Sequence, residues 1–91
     1  MKIETSKGKV HDVESIGQML RERNRIYINL LDTRTIPEIA GDMDGLSTIR
    51  KTDGEAGEHV YEVYEGFSVL IGLQRDKARG VVRVILERGD V

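Results

Sequence analysis

The architecture turns on one segment, Tyr61-Glu62-Val63-Tyr64-Glu65-Gly66-Phe67-Ser68-Val69-Leu70-Ile71-Gly72-Leu73. Its odd positions are apolar at Tyr61, Val63, Phe67, Val69, Ile71 and Leu73; Glu65, next to Gly66, is the exception. Alternation of this kind marks a strand with one buried face. Parity is the same on both sides of Gly66, and a single-residue bulge would have reversed it. The pattern therefore predicts one long strand, bent at Gly66, with its odd positions facing the core. Tyr61, Tyr64 and Phe67 are three of the chain's four aromatic residues, so this corner is expected to anchor the fold and to carry part of any contact surface.

Downstream, Val81–Glu87 supplies the second arm of a hairpin. Pairing Leu73 with Val82, Ile71 with Val84 and Val69 with Leu86 leaves a four-residue loop, Asp76–Arg79, beside Gly80. The opposite face then carries Leu70, Val81 and Ile85, to be covered by a helix, by sheet closure or by another subunit.

Upstream, Thr35-Ile36-Pro37-Glu38 opens a helix. Thr35 can cap it, Glu38 can reach back from the third helical position, and Pro37 sits where its missing N–H does no harm. Ile36, Ile39, Ala40 and Met43 share a face, and Gly45 ends the element. So short a helix is unstable alone and must pack on a sheet. Leu46–Thr52 reads as a weaker strand, and 53–58 as a turn or mobile loop.

Residues 25–31 alternate, with Ile26, Ile28 and Leu30 on one face and Tyr27, Asn29 and Leu31 on the other. Residues 14–24 fit two readings. Ser15 to Gln18 resembles a capping box, and Ile16, Met19 and Leu20 have helical spacing, but Gly17 is costly in a helix. The preferred reading is an extended segment ending in a polar turn at Arg21–Asn24. At the front, Gly8 suits a hairpin turn that sets Glu4 opposite Lys9 and Ile3 opposite Val10.

The sum is a β-rich α+β domain spanning 1–91, with about six mostly antiparallel strands in a strongly curved sheet or small partly open barrel. One short helix lies near 36–43. With 91 residues, 38% hydrophobic and 33% charged, the chain is too rich in apolar side chains to be disordered and too short for two domains. There is no cysteine, so thiolate chemistry and disulfides are excluded, and a reducing cytosol is compatible. The N-terminal residues contain no apolar run, so a cleaved signal peptide is not expected; nor is a membrane span.

No catalytic or cofactor constellation is legible. His11 and His59 stand far apart without a companion metal motif, so each reads as a surface or hydrogen-bonded histidine. Asp42-Met43-Asp44-Gly45 resembles the middle of a calcium loop, but Ala40 and Lys51 then occupy the two positions that most need oxygen ligands. Neither a phosphate-binding glycine motif nor a G-x-S-x-G elbow is present. Glu65 faces the predicted apolar side, so burial there would raise its pKa, and it could meet a partner or an arginine across the core.

Net charge is −2. Asp53, Glu55, Glu58, Glu62 and Glu65 form an acidic stretch, and Arg21, Arg23 and Arg25 a basic one. Nucleic-acid binding would require the latter trio and Arg75, Lys77 and Arg79 to share one end of the sheet as a basic rim, and is not the favoured reading.

The stretch Leu30-Leu31-Asp32-Thr33-Arg34-Thr35-Ile36-Pro37-Glu38-Ile39-Ala40, then Asp42-Met43-Asp44-Gly45-Leu46, then Tyr64-Glu65-Gly66-Phe67-Ser68-Val69-Leu70, and finally Val81–Glu87, resembles small uncharacterised proteins encoded in prophages of Gram-positive bacteria. The resemblance covers about residues 26–87. It implies a phage-associated accessory or particle-assembly (tail-associated) protein, in the host cytoplasm or the particle, and no known reaction or cofactor. The expectation is a non-enzymatic interaction protein with a protein partner or self-association. Its expected contact residues are Tyr61, Tyr64, Glu65, Phe67, Leu70, Ile85, Arg21, Arg23 and Arg25. A regulatory module binding a peptide or small ligand is the alternative.

Overall fold

In the computed structural model, residues 1–54 and 58–89 are described; part of the expected 53–58 loop, including Glu55, lies outside them. The strands are β1 (Lys2–Thr5), β2 (Val10–Gln18), β3 (Arg25–Leu30), β4 (Thr48–Thr52), β5 (Val60–Glu65), β6 (Val69–Asp76) and β7 (Val81–Glu87). The helix α1 (Ile36–Met43) falls between β3 and β4. All strands join one antiparallel sheet in the order β5-β4-β1-β2-β3-β7-β6. The sheet is not closed. Its two edges, β5 and β6, are consecutive in the chain yet stand at opposite ends of the order.

The long bent strand expected over 61–73 is therefore two strands, which raises six to seven. Gly66 has φ +79°, a left-handed conformation that turns the chain out of β5. Its amide donates to Ser47 O at 3.0 Å, and Ser68 O accepts from Gly45 N at 2.8 Å. The connection is thus tied to the end of the helix, not to a continuing ladder.

The inward face is also different from the expected one. Tyr64 pairs with buried Ile49, so on β5 the even position points inward. On β6 a bulge between Leu70 and Gly72 sets Leu70 against Leu86 and Leu73 against Val84. Tyr64, Phe67, Leu70 and Leu73 face the core at intervals of three, while Tyr61, Val63, Val69 and Ile71 are exposed. The Val81–Glu87 hairpin keeps a four-residue loop, but it is 77–80, since Asp76 pairs with Val81.

The front hairpin is shifted by one residue. Thr5 N bonds to Lys9 O and Gly8 N to Thr5 O, each at 2.9 Å, and this longer loop sets Ile3 against His11 and Glu4 against Val10. Val10 is exposed and His11 buried in consequence. Glu4 meets Arg50 on β4 at 3.8 Å, not Lys9. In β2 the extended reading of 14–18 holds. A bulge between Val13 and Ser15 puts Val13 and Ile16 on the same buried side, while Met19 and Leu20, the other residues of the helix-like spacing, lie past the end of the strand.

The helix forms as its sequence dictates. Thr35 Oγ1 accepts from Glu38 N, Glu38 Oε2 accepts from Thr35 N, and Pro37 lies in the first turn. Lys7 Nζ donates to the C-terminal carbonyl of Gly41 at 2.8 Å and to that of Asp44, where a cation is favoured. Ile39 and Met43 enter a single aliphatic core with Ile3, Ile26, Ile28, Leu30, Ile49, Val82, Val84 and Leu86. Side chains from both edge strands, Tyr64 on β5 and Leu70 on β6, reach this one cluster, so the open sheet wraps around it. No helix among the described residues is long and apolar enough to cross a membrane.

Candidate functional site

The aromatic corner splits into an inner and an outer part. Tyr64 and Phe67 are buried, with ring centroids 6.5 Å apart in an edge-to-face arrangement, and Arg88 lies over the Phe67 ring. Burial pushes the Tyr64 phenol above its ordinary range, and its hydrogen bond with Glu62 adds to the shift. These two residues belong to the core and reach the surface only at the floor of a recess. Tyr61 is 56% exposed, packed edge-on against His59 at 4.7 Å and hydrogen-bonded to Asp53. Glu65 is exposed as well, so the expectation that it faces the core fails: its neighbour Tyr64 takes the inward position. Leu70 is half-buried on the core side, and Ile85 is half-buried on the outer face beside Gly72.

The two basic trios do not meet. The turn after β2 adjoins Arg25, which pairs with Glu87 at one end of β7; the 77–80 turn adjoins Val81 at the other. Six residue steps along a strand separate them by about 20 Å. A rim of six cations is excluded. Arg25 is moreover held by Glu22 at 2.6 Å and Glu87 at 2.9 Å. Arg79 pairs with Glu14, and Arg75 donates to the carbonyls of Asp32 and Arg34. Arg21 and Arg23 remain exposed, with no ion pair among the described residues.

Beside Arg21 and Arg23, Leu20 is 96% exposed at the tip of the turn. An open recess of about 420 Å3, lined by Met19, Leu20, Tyr27 and Arg83, flanks it. Gln18 borders this recess and also a second one lined by Glu62, Val63, Glu65 and Arg88. The basic turn and the acidic strand β5 are therefore neighbours on the surface. Both charge runs are legible in the sequence, but their adjacency arises only from the wrapping of the sheet.

A second cluster was missed. His11, on β2, has its side chain only 8% exposed, with Nδ1 4.0 Å from Asp32 Oδ2 and Nε2 3.9 Å from Asp42 Oδ2. Arg34 joins the two carboxylates, at 2.8 Å to Asp32 and 2.7 Å to Asp42. Burial lowers the His11 pKa; Asp42 opposes this and Arg34 reinforces it, since a ring deprived of water resists a proton while its carboxylates are already engaged. The hydrogen bond from Arg34 lowers the Asp32 pKa. The signal that could have found the cluster is the Asp32-Thr33-Arg34 triplet next to a helix bearing Asp42.

The two carboxylates lie one at each ring nitrogen, so they cannot converge with His11 on one ion. No group of three or more His, Asp or Glu side chains among the described residues could hold a metal. The calcium-loop alternative fares no better: Asp42 is committed to Arg34, and Asp44 Oδ1 accepts from Leu70 N at 3.2 Å. The arrangement is a polar tie among β2, the 31–35 segment and α1. No protein-family model, curated protein or solved structure matches the chain.

Proposed function

We propose that the chain is a non-enzymatic structural or interaction protein, serving as a prophage accessory or particle-assembly component. The observation that carries this reading is the pair of unpaired sheet edges. Val60, Tyr61 and Val63 on β5, and Val69 and Ile71 on β6, are all exposed on strands that have one ladder neighbour each among the described residues, although on β6 the Leu70 amide is taken by Asp44. Edge strands of this composition are prone to take up another chain unless they are covered.

Light scattering over a concentration series tests the proposal, together with detection of the protein in particles released from a host that carries its gene. Assembly that grows with concentration, or presence in the particles, supports it. A chain that stays monomeric throughout and is absent from the particles overturns it.

A further inference from the structure

We infer that the partner of this surface is a second copy of the same chain, docked about a twofold axis, with the basic turn of each copy on the acidic strand β5 of the other. The inference rests on the assembly reading above and names its first contact.

Charge complementarity selects the occupant. The turn presents Arg21 and Arg23, both exposed, while Arg25 is consumed internally by Glu22 and Glu87. The strand and its approach present Glu58, Glu62 and Glu65, all exposed; of the bases across from them on β4, Arg50 is engaged by Glu4 at 3.8 Å and Lys51 is half-buried, and Arg88 lies at the far side of the recess. The chain, of net charge −2, thus carries an exposed cationic tip next to a strand whose exposed acids have no ion pair among the described residues. The two are adjacent, since Gln18 borders the recesses beside both.

Adjacency decides the symmetry. In an isologous contact, patch i meets patch j of the partner and j meets i. Two neighbouring patches of opposite sign satisfy that condition when one copy is rotated by half a turn. A rotation that placed like patches together would oppose acids with acids. Apolar groups occupy the same two patches: Leu20 on the turn, and Tyr61 and Val63 on the strand. An exposed leucine alone is unremarkable. One at the tip of a cationic turn, facing an edge strand that exposes Tyr61 and Val63 on the same face as Glu65, is matched in both charge and polarity. The other free edge, β6, has no charged residue over 69–74 and offers no such complement.

The test uses the full chain and two reversed-charge variants, Arg21→Glu with Arg23→Glu, and Glu62→Arg with Glu65→Arg. Circular dichroism and thermal melts establish that each is folded; all four positions are exposed, so melting close to the parent is expected. Sedimentation equilibrium should show a dimer of the parent, weakened by salt, and about tenfold or greater weakening in each variant. Mixing the variants should restore a heterodimer, because both turn–strand contacts are then of opposite sign. A mixture that stays monomeric overturns the inference, as does open-ended growth in place of a dimer. Association that survives in both variants but is lost in Ile71→Lys overturns this contact and leaves the assembly reading intact. Absence of any association in the parent overturns both.

Discussion

At the scale of single residues, His11 governs the acid response. Above its ordinary pKa of 6.5 the ring is neutral in both the folded and the unfolded chain. Below that value the unfolded chain takes up a proton that the buried ring still refuses. The unfolded state then binds more protons, so stability falls as pH drops from 6.5 toward the lowered folded pKa, and this contribution levels off beneath it. His11→Gln should flatten the loss in that window, measured by denaturant melts at several pH values. A separate loss follows at lower pH, as the Asp32 carboxylate, held below its ordinary 3.8 by Arg34, is protonated. Arg34→Gln should raise the His11 pKa, because it removes a nearby positive charge and frees two carboxylates for the ring. A proton NMR titration reads that directly. It should also destabilise the fold by about 1–3 kcal/mol, the cost of leaving half-buried carboxylates without their charge-assisted bonds.

At the scale of elements, the helix and the segment around Gly66 respond differently to substitution. Thr35→Ala removes one arm of the capping box and should cost about 1 kcal/mol in a chemical melt, with the fold retained. Gly66→Ala places a Cβ on a residue with φ +79° and should cost about 1–2 kcal/mol, because the left-handed region is disfavoured for L-residues. The helix was legible because its signals are local: Thr35, Pro37 and Glu38 act within one turn. The strand over 25–30 was legible for the same reason, with Ile26, Ile28 and Leu30 in simple alternation. The 61–73 segment misled because alternation identifies a strand without saying which face is inside. Four of its apolar odd positions, Tyr61, Val63, Val69 and Ile71, proved to be outward, while Phe67 and Leu73 face the core as expected; the inward set, Tyr64, Phe67, Leu70 and Leu73, follows a turn and a bulge that leave no periodic mark.

At the scale of the whole molecule, the sheet joins partners that are distant in the chain. β1 pairs with β4 across more than forty residues, and β3 with β7 across more than fifty. Closing such loops before any contact rewards them slows folding, so refolding is expected in milliseconds to seconds by stopped flow, slower than helical bundles of this size. Ile28, at 0% exposure in the middle of β3, stands between Ile16 on β2 and Val84 on β7 in the one core; Ile28→Ala should cost about 2–5 kcal/mol, read as a shifted denaturation midpoint with an unchanged slope.

The amino-acid order alone established a β-rich domain with an aliphatic core, a capped helix at 36–43, a glycine turn at Gly8, and the absence of cysteine chemistry. Each of these rests on composition or on contacts within a few residues. Long-range pairing settled the rest: which edge each of β5 and β6 occupies, which residues of 61–73 are wet, that the two basic trios lie at opposite ends of β7, and that His11 sits between Asp32 and Asp42. Those outcomes depend on register. A shift of one residue exchanges the two faces of a strand, and register is chosen by the competition among all strands for one core. The first hairpin shows it most directly, since a loop one residue longer exposed Val10 and buried His11.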